Sequence, residues 1–155
     1  MKLTSAAIAP DSVIDRRLAE PGCGGNNVSP DLTWSEAPEG TKSFAITCFD
    51  PDAPTGSGWW HWVVTDIPSD VTSLAEGGQL PSAARTWTND FGYPGWGGPW
   101  PPPGPAHHYV FEVIAVDTDR LEVTDDATCA FARLVLSVHI LDRASFTGTF
   151  ANPAS

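Results

Sequence analysis

Two stretches of this chain cannot be helix and cannot run through the middle of a sheet. Asp50–Gly58 reads DPDAPTGSG, and Gly92–Pro105 reads GYPGWGGPWPPPGP. Each proline fixes φ and removes an N–H donor, so neither stretch continues an ordinary central strand. Each runs almost at once into aromatic and β-branched residues, WWHWVV in the first case and HHYVFEVIAV in the second. Stiff loop, then imidazole, then strand occurs twice. Loops at strand ends are where binding sites gather.

The rest of the composition agrees with a loop-rich β protein. Gly and Pro number 14 and 15 in 155 residues, high for a helical bundle and ordinary for sheets joined by turns. One domain over residues 1–155 is expected, because no repeat or linker divides the chain and seven Trp and seven Phe supply a large core. No apolar run reaches the ~18 residues of a membrane span. The opening MKLTSAAIAPDSVIDRR is too polar for a secretory leader, so a cytoplasmic location is expected. Cys23, Cys48 and Cys129 are odd in number and far apart, which argues against a disulfide framework or a zinc ribbon. The net charge of −11 disfavours nucleic acid and anionic membrane surfaces as partners.

Strand signals fall at Val28–Trp34, Lys42–Phe49, His61–Ile67, His108–Val116 and Arg143–Phe150. The third is apolar on both faces and so is expected to be central. One helix is expected over Thr124–Leu141, with acids in its first turn and Phe131, Leu134, Val135 and Val138 facing the core. The expected fold is mainly β, two packed antiparallel sheets with a helix near the C-terminus.

The chemistry gathers at the two stiff loops. Asp50 and Asp52 stand two apart and, on extended backbone, point the same way. A tight return through Gly58 brings His61 near them, with Trp59, Trp60 and Trp62 as walls. His107 and Tyr109 share a second face, and His108 points to the other. Imidazolium and phenol groups donate to a phosphate or carboxylate. Aspartates behind the imidazoles orient them and favour their charged form. Against this stands the plain alternative that the histidines are structural and the Asp–Pro pairs make Asx turns.

At these motifs the sequence resembles the phosphatidylethanolamine-binding protein family, and within it the bacterial Raf kinase inhibitor-like branch. The likeness is carried by Asn26–Pro68, with its DPDAP and W-H, and by Asn89–Asp117, with GP, PPG and H-x-Y in order. The ASFTGTF near the C-terminus resembles the family's closing strand. The resemblance implies a β-sandwich with peripheral helices and an anion pocket at one end. Carried over by residue, Asp50, Asp52, His61 and His107 form that pocket. Tyr109, Gly98 and Pro99 line it, and Pro54 and Trp59 are stiff walls. It also implies cis peptides near the DPDAP loop. Two positions depart from the pattern: Trp100 where many relatives carry Cys, and His108 where the usual motif is H-R-Y.

The function implied is non-enzymatic binding of a small anion or phosphorylated headgroup, with no cofactor or metal, and regulation of a kinase or protease partner. A homodimer follows from the resemblance, with Trp60, Trp96 and Trp100 as an exposed aromatic rim. The alternative from a different class is a hydrolase using the same His and Asp side chains. No Cys lies in either motif.

Overall fold

The computed structural model describes residues 1–155. Eight strands and one α-helix form two antiparallel sheets. The small sheet joins β1 (Lys2–Thr4), β2 (Leu32–Ser35) and β5 (Ser73–Leu74) in the order β1-β2-β5. The large sheet runs β6-β4-β3-β7-β8, with β3 at Ser43–Asp50, β4 at Trp59–Pro68, β6 at Arg85–Thr86, β7 at His107–Val116 and β8 at Ile140–Phe150. The mainly β expectation and its principal strands therefore hold. β4 lies inside the sheet, between β6 and β3, as its two apolar faces require.

The large sheet is buried on both sides. Phe44, Ile46, Cys48, Trp62, Val64, Phe111 and Val113 meet Leu3, Leu32, Trp34 and Leu74 of the small sheet. On the opposite face Ala45, Val63, Ile114 and Val116 meet Trp87, Leu121, Val123 and the helix. Alternation along each strand thus supplies two cores rather than one core and one wet face.

The helix, α1, spans only Cys129–Leu136. Thr128, not Thr124, caps it, its hydroxyl accepting the Phe131 N–H at 3.1 Å. Residues from Ile140 onward belong to β8, where Ile140 pairs with Val116. The buried face is also different from the expected one. Cys129, Ala132 and Leu136 pack inward, while Phe131, Leu134 and Val138 are exposed and Val135 is half-buried. Both sets recur at helical spacing, so periodicity alone cannot choose between them. The smaller set faces Trp87, whose carbonyl accepts the Cys129 thiol.

The β3–β4 ladder carries two bulges. Opposite Phe44 and Ile46 stand Ile67 and Val64, and the extra residue Asp66 has φ 61°. Further along, Cys48 pairs with Trp62 and Phe49 with Trp60, which leaves His61 unpaired between them. A bulge of this kind re-aims a side chain at a sheet rim. No peptide bond is cis, contrary to what the resemblance implied.

Candidate functional site

β3 ends, and β4 and β7 begin, at one rim of the large sheet. Their ends enclose a cavity of about 510 Å³. Asp50, Pro54, Trp59, His61, His107 and Tyr109 all line it, so six of the expected residues are brought together. The other three are placed elsewhere. Asp52 stands at the rim, where its carboxylate accepts both the His108 N–H at 2.8 Å and the His108 Nδ1 at 2.7 Å. Gly98 and Pro99 lie behind the wall. A Cβ on Gly98 would stand 2.1 Å from the Leu18 carbonyl oxygen, so this glycine makes room for the protein's own backbone rather than for a ligand. The Pro99 carbonyl accepts the Glu20 N–H at 3.1 Å.

Asp50 and Asp52 do not point the same way, because the extended backbone stops at Asp50. One oxygen of Asp50 accepts the Asp52 N–H at 2.8 Å, an Asx turn that starts the proline loop. The other accepts His107 Nδ1 at 2.7 Å. The Asx turn of the plain reading is therefore present, and the same carboxylate orients His107. Both of its oxygens are engaged.

The histidine tautomers follow from their partners. A carbonyl can only accept, so His61 Nδ1, 2.6 Å from the Gly97 oxygen, carries a proton. Likewise His107 Nδ1 donates to the Asp50 carboxylate. Each ring keeps Nε2 for other contacts. His61 is buried, and burial lowers its pKa from 6.5, with the Gly97 carbonyl and Asp50 pulling the other way. The ring is therefore neutral at pH 7 and its Nε2 is an acceptor until protonated.

Tyr109 is fully buried, and burial pushes its phenol far above the usual range, with the Asp50 charge adding to this. It stays a donor at every physiological pH. Within the protein its hydroxyl has no hydrogen-bond partner, and neither has Trp59 Nε1 or, in the core between the sheets, Trp34 Nε1. Buried polar groups normally have one. Tyr109 and Trp59 line the cavity.

Of the three indoles of WWHW, only Trp59 walls the cavity. Trp60 packs on Phe49 at 4.5 Å, and Trp62 on Trp96 at 5.5 Å in the core. The expected exposed aromatic rim is reduced to Trp100, since Trp96 is buried and Trp60 half-buried. Two cavity residues carried no signal in the sequence. Phe91 sits in a loop held by Asn89, whose side chain accepts the Phe91 N–H, and Asn152 follows the last strand. Asn27 was equally silent. With φ 53° it accepts the Gly98 N–H at 2.7 Å and donates to the Tyr93 hydroxyl, fixing the glycine loop that orients His61. No three His, Cys, Asp or Glu side chains converge as a metal cluster.

The family model described as phosphatidylethanolamine-binding protein matches residues 4–151, and this chain belongs to that family. It is 48% identical over 136 residues to the UPF0098 protein YbcL of Escherichia coli, covering 83% of this chain and 74% of that protein. To the UPF0098 protein YbhB of the same organism it is 41% identical, over 97% of this chain and the whole of the other. The crystal structure of E. coli YbcL, described as a new member of the mammalian PEBP family, superposes with a TM-score of 0.93 at 43% identity, over 97% of each chain. A PEBP homologue from Chlamydia trachomatis gives 0.83 at 31% identity, over 96% of this chain and 95% of that one. No helix is long and apolar enough to cross a membrane.

Proposed function

We propose that this protein is a non-enzymatic binding protein whose cavity takes a small anion, such as a phosphate or carboxylate group. The observation that carries this reading is the Tyr109 hydroxyl: a buried donor with no partner in the protein, on a residue that lines a cavity together with His61 and His107. An unmet buried donor costs about 1–3 kcal/mol, and an anion oxygen removes that cost. The acid of the site supports the same reading, since both Asp50 oxygens are already engaged within the protein. The Nε2 atoms of His61 and His107 become donors on protonation, so the anion either arrives with a proton or takes one up. Three buried free thiols suit a reducing compartment such as the cytoplasm. The hydrolase alternative gains no observation.

A thermal-shift titration with inorganic phosphate, phosphoethanolamine and acetate tests this. Wild type is expected to gain stability as RT ln(1 + [L]/Kd), about 2.7 kcal/mol at 100-fold excess over Kd. His61→Ala and His107→Ala should gain little. Equal shifts in all three proteins would place binding elsewhere.

A further inference from the structure

The anion donors line a cavity of about 510 Å³, a size that holds a whole small-molecule ligand. What fills the remainder is set by the walls. Apart from Ala53, Thr55 and Asn152 these are rings: Trp59, Phe91, Trp100 and the prolines. No Leu, Ile, Val or Met side chain lines the space. Flexible aliphatic side chains adapt to acyl tails, whereas rigid rings offer flat faces that favour stacking.

The ring wall is also fixed in place. The Trp100 indole lies over Gly22, where a Cβ would stand 2.2 Å from indole Cε2. Phe91 and Trp100 are nearly parallel, at 23° with centroids 6.3 Å apart, and Trp59 meets Phe91 edge-on at 5.3 Å. Asn152 Nδ2 donates to the Pro101 carbonyl at 2.9 Å and ties the proline run to the last residues of the chain. Trp100 lines the cavity and remains 51% exposed. A preformed slot binds a rigid flat ligand with little ordering cost.

We infer that the ligand of this cavity is an anionic group carried on a planar, aromatic body, with Trp100 as the residue that sets this preference. The inference rests on the anion site described above. The unpartnered Nε1 of Trp59 offers a second donor to an acceptor on the same body.

Calorimetric titration of inorganic phosphate, phenyl phosphate, n-butyl phosphate and phosphocholine tests the assignment on wild type, Trp100→Phe and Trp100→Leu. Phenyl phosphate should bind wild type on the order of tenfold more tightly than butyl phosphate, the gain expected of ring stacking. Trp100→Phe should keep most of that ratio, and Trp100→Leu should bring it close to one. Equal affinity for phenyl and butyl phosphate in wild type overturns the inference, as does an undiminished ratio in Trp100→Leu. Tightest binding of phosphocholine overturns it too, because the rings would then be a cage for a cation. If inorganic phosphate binds while the phenyl group adds nothing, this inference fails alone. If no anion binds, the anion site fails with it.

Discussion

Tyr109 is the residue where folding and binding make opposite demands. Its buried hydroxyl lacks a partner, so Tyr109→Phe should leave the free protein as stable or slightly more so, while weakening phosphate binding by about tenfold. Thermal melts with and without phosphate read both effects, and a destabilised protein with unchanged binding would refute the assignment. His61 sets the pH dependence. Its ring is surrounded by Asp50, Asp90, Tyr109 and the Gly97 and Gly98 backbone, and burial dominates, so its pKa in the free protein is lowered from 6.5. The unfolded chain therefore binds this proton more readily, and the group costs stability as pH falls through 6.5. A bound anion reverses the preference. The stabilisation given by sulfate, whose charge is constant in this range, should rise from pH 8 to pH 6. Calorimetry in buffers of different ionisation enthalpy should register about one proton taken up per sulfate. A flat profile would remove the imidazolium from the account. These residues were legible in the sequence because proline, histidine and tryptophan are informative in combination. Phe91 and Asn27 were not, because an aromatic residue or an asparagine in a loop has no spacing to betray it.

At the level of elements, the long strands are legible in the sequence and the helix is not, for one physical reason. A strand's period of two is confirmed by its neighbour in the sheet, and β3 and β7 alternate cleanly between two cores. The helix offered two apolar faces, and the one with larger residues turned out to be the exposed one. Leu136→Ala should cost about 2–5 kcal/mol, as a buried truncation does, whereas Leu134→Lys should change stability by no more than about 0.5 kcal/mol. Denaturant melts of the two variants decide this, and a large loss in Leu134→Lys would restore the face that periodicity suggested. The bulge at His61 was also invisible in sequence. Nothing in WWHW says that Trp60 and Trp62 part to opposite sides of the sheet, yet this shift is what carries the imidazole into the cavity.

For the whole molecule, the two cores account for the cysteines. Cys23 and Cys48 lie in the core between the sheets and Cys129 on the buried face of α1, each buried and free. Burial raises all three thiols, Cys129 to about 12 and Cys48 well above its ordinary value. A thiol reagent should therefore modify none of them in the native protein at pH 8 and all three after denaturation. Rapid native labelling at any one would show that its core opens readily.

Asp66, the extra residue of the other bulge, accepts the Leu121 N–H at 2.9 Å and holds the Arg85 guanidinium. Arg85 in turn donates to the Leu121 and Val123 carbonyls. Much of the covering segment between β7 and α1 thus hangs on one arginine and one aspartate. In hydrogen-exchange terms, the Leu121 amide should exchange through local opening, far faster than the amides shared by β3 and β7, which wait for global unfolding. Replacing Arg85 should widen that gap without touching the cavity at the far end of the same sheet.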